Sequence, residues 1–258
     1  MKRVPTGIEG LDKMLRGGFP AGRCILVCGG PGSGKTIFSM QFLHYGSVEC
    51  KEPGLYVSLD EDAKHLREEM TGFGWNIENL EKNGVFATVD VSPIRKIPGT
   101  VKLGNISIGK RDFSLLSLIE IIEKNAKKIN ARRAVIDPIA GLTFQYPDAT
   151  ERRMATLDLL EALSKLEITT LITTELKSLA LQREILTEEF LAQGVIVLHT
   201  WRSQLEAHGG IQIEKMRGIA HDTQIRPYRI TEKGIEVYSE EEPLFEVDRM
   251  LRVSNTQT

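Results

Sequence analysis

The stretch Gly29-Gly30-Pro31-Gly32-Ser33-Gly34-Lys35-Thr36 fits the pattern G-x-x-x-x-G-K-[ST] and sits at a predicted strand-to-helix corner. Before it runs Arg23-Cys24-Ile25-Leu26-Val27-Cys28, apolar and β-prone; after it, Ile37, Met40, Phe42 and Leu43 begin a helix with an apolar face. Glycines in such a corner let the backbone take positive φ and come close to an anion. Successive N–H groups and the helix N-terminus then surround a phosphate with donors. In this pattern Lys35 reaches the β- and γ-phosphates, and the Thr36 hydroxyl ligates Mg²⁺. Gly29 to Ile37 are therefore the expected contacts of a nucleoside triphosphate. A glycine-rich turn that binds nothing is the competing reading, and the flanking strand and helix argue against it.

Strand and helix signals alternate through most of the chain, which argues for βαβ units and a mostly parallel sheet. Strands are predicted over Gly54–Leu59, Val85–Val89, Ala134–Ile136 (ending in Asp137) and Ile168–Thr174. Leu66, Met70 and Phe73 share one helical face, as do Leu115, Leu118, Ile122, Ala126 and Ile129. A further helix is predicted around 150–166, with Leu157, Leu160 and Leu163 on one side. Residues 91–111, punctuated by Pro and Gly, read as an irregular excursion or a hairpin. From about residue 193 the texture changes. Val195–Leu198, Ile211–Lys215 and Arg229–Thr231 are predicted strands without helices between them, and Glu232-Lys233-Gly234 is the turn of a terminal hairpin. The expected class is α/β, with helices on both faces of the sheet and an antiparallel C-terminal extension. One domain over 1–240 and a polar, frayed tail over 241–258 are expected.

A hydrophobic content of 41% is enough for a real core, and a net charge of −2 advertises neither nucleic acid nor an anionic membrane. No apolar run approaches the roughly 20 residues of a membrane span. Met1-Lys2-Arg3-Val4-Pro5-Thr6-Gly7 lacks the apolar stretch of a signal peptide, and three cysteines do not make a disulfide framework. The cytoplasm is the expected compartment.

Triphosphate hydrolysis needs Mg²⁺ held by a carboxylate and a base that orients water. Asp137, after its short apolar strand, fits the Walker B pattern, with Mg²⁺ bound through water; a helix cap is the plainer alternative. Asp60 and Glu61 close the second strand, whose carboxyl end lines the ligand crevice of an open α/β sheet. One of them is the candidate base, and capping of the next helix is the alternative. Lys215 and Arg217 lie two apart on a predicted strand and share a face, which suits two cations on one phosphate or a pair of solvated charges.

Together these residues resemble the KaiC-like family of RecA-fold ATPases, from about Val4 to about Val237. The resemblance rests on Thr6-Gly7-Ile8-Glu9-Gly10-Leu11-Asp12 with Gly17-Gly18-Phe19-Pro20, and on the phosphate loop with Phe38-Ser39-Met40-Gln41-Phe42-Leu43. Ser58-Leu59-Asp60-Glu61, Thr173-Thr174-Glu175 and Lys215-Met216-Arg217-Gly218 with His221 complete it. It implies a RecA-like three-layer sandwich forming a ring, usually a hexamer, with ATP or ADP and Mg²⁺ between adjacent subunits. Lys215 and Arg217 match the basic pair that reaches the neighbouring subunit's γ-phosphate, and His221 a residue beside the nucleotide. The family's paired glutamates are Asp60-Glu61 here, so hydrolysis is expected to be slow or to depend on Glu61. The autophosphorylated Ser-Thr pair of the family's clock protein falls near Glu189-Phe190, so no clock-type autokinase is expected.

The expected activity is an ATPase or ATP-gated switch acting on an unknown protein partner. A DNA-acting recombinase or helicase relative, and a non-catalytic scaffold, are the alternatives. The loop from Pro138 to Thr150 holds Asp148 and no Lys or Arg. That from Glu175 to Gln193 sets Glu175, Glu184, Glu188 and Glu189 against Lys177 and Arg183. Acidic loops disfavour nucleic acid, although Arg152 and Arg153 lie close by. Cys24 and Cys28 read as core residues, His44, His65, His199 and His208 as scattered histidines, and Trp75 and Trp201 as packing anchors.

Overall fold

A computed structural model describes residues 1–91, 101–103, 106–108, 115–143, 146, 148–176, 185–202 and 207–241. The elements run β1 (Arg3–Val4), α1 (Glu9–Met14), β2 (Phe19–Pro20), β3 (Cys24–Gly29), α2 (Lys35–Val48) and β4 (Gly54–Ser58). Next come α3 (Ala63–Thr71), α4 (Ile77–Lys82), β5 (Phe86–Asp90), β6 (Val101–Leu103), β7 (Ile106–Ile108), α5 (Leu115–Ile129) and β8 (Arg133–Asp137). The chain continues through α6 (Ala140–Thr143), α7 (Ala149–Lys165), β9 (Thr169–Glu175), α8 (Thr187–Leu191), β10 (Gly194–Arg202), β11 (Ala207–Met216), β12 (Arg226–Thr231) and β13 (Gly234–Val237).

Nine of the described strands form one sheet in the order β13-β12-β11-β10-β3-β9-β8-β4-β5. From β10 to β5 all neighbours are parallel; β11, β12 and β13 are added antiparallel. The period of two along a strand sorts each one between two cores. Ile25 and Val27 face one cluster with Phe38, Met40 and Phe42 of α2, while Cys24, Leu26 and Cys28 face another with α5 and α7. Buried on both faces, β3 reads as a continuous apolar run. The architecture is the expected three-layer α/β sandwich.

Three expectations shift. β10 belongs to the parallel part, because the short helix α8 lies between β9 and it and the chain returns to the same sheet end. In α7 the buried side is Ala155, Thr156, Leu159, Leu160 and Leu163, and Leu157 is 38% exposed. A spacing of three drifts about 60° per step on a helix, so Leu157 leaves the core stripe. α3 stops at Thr71, and Phe73 lies beyond it, stacked on Trp75. Within 91–111 the two short strands β6 and β7 pair antiparallel. The rest of that excursion, Lys177, Arg183 and Glu184, and the tail from 242 lie outside the described residues.

Candidate functional site

From β3 the chain crosses through α2 to β4, three places along the sheet, whereas β10 flanks β3 on the opposite side. The strand order therefore reverses at β3, and ligands bind at the carboxyl ends of strands beside such a reversal. The phosphate loop occupies that corner. Gly34 precedes α2 with φ 85° and Gly32 has φ 73°, both left-handed conformations that favour glycine. Lys35 lies over the loop and donates to the carbonyls of Gly29 (2.9 Å) and Gly30 (3.1 Å). Burial lowers its pKa, while the nearby Glu175 and Asp137 pull it up. Ile37 packs against the α2 core and Pro31 is exposed.

Strand parity gathers hydroxyls around one carboxylate beside the loop. Ser58 pairs with Asp137, and Ile136 with Ile172, so Asp137 lies beside Thr173. Tyr56, Asp137 and Thr173 all point to the α2 side, as Val135 and Leu171 of the same strands do. Asp137, 7% exposed, accepts from the Thr36 hydroxyl at 3.0 Å and from the Tyr56 hydroxyl at 2.6 Å, both on Oδ2. Thr173 donates to Oδ1. A carboxylate against the hydroxyl that opens α2 is a hard-oxygen donor set, the kind that Mg²⁺ takes together with phosphate oxygens. Among the described residues, no group of three or more His, Cys, Asp or Glu side chains is arranged to hold a metal alone.

Asp60 and Glu61 lie in the turn between β4 and α3 rather than in the strand. The cap of α3 is Asp62, which accepts from Lys64 N. Ser58 pins the turn, donating to the Glu61 carbonyl (2.6 Å) and accepting from the Glu61 N–H (3.0 Å). Asp60 is exposed and Glu61 half-buried. Burial raises the Glu61 pKa first, and the charges of Glu69 and Asp137 raise it further. Glu61 thus feels the charge of Asp137 across the turn.

Lys215 and Arg217 converge, but far from their own loop. Lys215 Nζ donates to the carbonyls of Glu189 (2.6 Å) and Phe190 (3.3 Å), and Arg217 Nη2 to that of Phe190 (3.2 Å). Burial lowers the Lys215 pKa, and Arg217 beside it lowers it again. Gly194 of β10 pairs with both Ile25 and Met216, whereas Leu198 pairs with Gly29. The cations therefore sit level with the start of β3, and the phosphate loop follows its end. Four residues separate those levels, about 13 Å along the strand before the two intervening strand spacings are added. His221 lies in the connection from β11 to β12 and bonds to the Asp222 carbonyl, not to the loop. Glu189, counted above as a loop charge, is 4% exposed and accepts from Leu186 N.

Four residues of this region escaped the sequence reading as site groups. Tyr56 and Thr173 grip Asp137; Glu175, level with Gly29 on β9, sets the field at Lys35; Tyr228 on β12 donates to the Ser33 carbonyl at 2.7 Å and props the loop from behind. Thr173, Tyr56 and Tyr228 all required the strand order.

A phosphate loop at the reversal of a mostly parallel sheet, with a buried carboxylate against its threonine, places the chain in the class of RecA-fold, P-loop nucleotide-binding proteins. A family model described as the KaiC ATPase matches residues 4–242. A UPF0273 protein of Thermotoga maritima is 34% identical over 93% of this chain and 98% of its own. The circadian clock oscillator protein KaiC of Prochlorococcus marinus is 31% identical over 93% of this chain but 45% of its own length. The crystal structure of a KaiC-like protein from Pyrococcus horikoshii superposes with TM-score 0.78 and 36% identity, covering 92% of this chain and 99% of that one. This chain belongs to the KaiC ATPase family, as a single KaiC-like domain.

Proposed function

We propose that this protein binds ATP with Mg²⁺ between adjacent copies in a ring and hydrolyses it slowly, so that nucleotide state switches the ring's shape or its affinity for a protein partner. The observation that carries this reading is the separation of the two halves of the chemistry. The phosphate loop, Thr36 and Asp137 sit at one end of the sheet; Lys215 and Arg217 sit at the other, too far to touch the same phosphate. A head-to-tail arrangement brings one copy's cations to the next copy's loop, and such contacts make a ring when the rotation between copies closes.

In that arrangement the N–H groups of Gly32 to Thr36 receive the phosphates and Lys35 leaves the loop carbonyls for the β- and γ-oxygens. Thr36 and Asp137 would hold Mg²⁺, Asp137 through water, and the ion would supply charge neutralisation on the phosphates. Glu61, with Asp60 beside it, orients the attacking water, while Lys215 and Arg217 of the neighbour stabilise charge on the transferred group. His221 travels with the cations to the neighbour's nucleotide. No helix among the described residues is long and apolar enough to cross a membrane. We place the ring in the cytoplasm, formed by one domain over 1–240.

Light scattering with and without Mg·ATP, paired with a phosphate-release assay on the same samples, tests this. The expected result is a ring-sized particle that turns ATP over slowly. A monomer in both conditions, or a ring without turnover, contradicts the catalytic reading.

A further inference from the structure

Asp137 is loaded from the core side. Three hydroxyls, those of Thr36, Tyr56 and Thr173, donate to its two oxygens. A carboxylate offers about four acceptor positions, so one remains open. Thr36 belongs to the phosphate loop, and its hydroxyl is accounted for by the site. Tyr56 is different. It is 1% exposed, within the cluster that contains Phe38 and Met40, and phenylalanine would fill the same space. A buried phenol carries a desolvation cost that a phenyl ring does not, offset here by its 2.6 Å bond to Asp137. Thr173 meets the other oxygen from the strand on the opposite side of β8. The carboxylate is therefore clamped from both neighbouring strands, with its orientation set before any ligand arrives.

We propose that Tyr56 is a positioning residue for the metal-facing carboxylate: with Thr173 it fixes the plane of Asp137 and leaves a single acceptor position. Asp137 then accepts one hydrogen bond from a metal-bound water and is unable to chelate the ion with both oxygens. This inference rests on the Mg·ATP reading above. Partners that orient metal-facing groups typically account for 10- to 100-fold in metal affinity, which sets the expected effect.

The test uses Mn²⁺ as the probe, titrated into the full-length protein–ADP complex and followed by electron paramagnetic resonance. Metal-free ADP affinity is measured in parallel by calorimetry. For Tyr56→Phe the expected result is metal-free ADP affinity within about twofold of wild type and Mn²⁺ affinity lower by about tenfold. Unchanged Mn²⁺ affinity, or a parallel loss of both affinities, assigns Tyr56 to packing alone and overturns the inference. If Tyr56→Phe does not fold, Thr173→Val and Thr173→Ser carry the same comparison. The valine is expected to lose Mn²⁺ affinity selectively and the serine to retain it; equal affinities would refute the clamp. A wild-type protein that binds neither ADP nor Mn²⁺·ADP instead removes the nucleotide site itself, and the clamp with it.

Discussion

Glu61 shows how one residue's surroundings set both stability and chemistry. Burial and the charges of Glu69 and Asp137 raise its pKa, so the folded protein holds that proton more tightly than the unfolded chain does. Ionising Glu61 therefore costs stability at neutral pH, and the cost vanishes once pH falls below the ordinary glutamate value, where both states are protonated. Glu61→Gln is expected to raise the melting temperature at pH 7 and to lose that advantage near pH 4, while turnover falls at least tenfold. For the same reason the acidic limb of the activity profile should lie above the ordinary glutamate range. Asp60→Asn should keep that limb; full activity in both variants would mean that neither carboxylate is the base. At this scale the phosphate loop was legible because its residues are contiguous and their spacing is itself the chemistry. Tyr56 was not, since its meaning depends on β8 lying next to β4, and strand order is not written in local spacing.

Among elements, α2 is the joint on which the site is mounted. Gln41 donates to the carbonyls of Gly7 (3.0 Å) and Ile235 (3.2 Å) and accepts from Ile235 N at 2.7 Å, tying the N-terminal segment and β13 to the loop's own helix. Thr6 N bonds to Asp12 at 2.8 Å within that N-terminal segment, so this family-specific stretch serves to anchor the chain ends. Arg133, fully buried in β8, donates to Glu52 (2.9 Å) and to the carbonyls of Pro5 (2.8 Å) and Phe42 (2.9 Å). Gly46 has no side chain where the Arg133 side chain passes. Gln41→Ala leaves buried backbone groups unpaired and is expected to cost about 2 kcal/mol in urea unfolding; a loss below about 0.5 kcal/mol would show that these bonds do not anchor the ends. Helix existence was readable from apolar period, as in α5, whose Leu118, Ile122 and Ala126 are all buried. The parallel sense of β10 was not, because α8 has five residues and two adjacent glutamates and so reads as a polar loop.

For the whole molecule the decisive fact is polarity, with the anion cradle at one sheet end and the cations at the other. Their present partners are the Glu189 and Phe190 carbonyls at the end of α8, which under the proposed shared site Lys215 and Arg217 would release to reach a neighbour's phosphate. Lys35→Ala should abolish nucleotide binding by calorimetry, and retained micromolar affinity would contradict the loop assignment. Arg217→Ala should bind nucleotide and fold normally yet lose most turnover. Each variant alone is thus expected to be nearly inactive. The most direct measurement mixes them. In rings assembled from Lys35→Ala and Arg217→Ala subunits together, some junctions pair an intact loop with an intact arginine, and a site shared between copies predicts that turnover returns at those junctions. If mixed rings are no more active than either variant alone, each copy works by itself and the shared site is wrong.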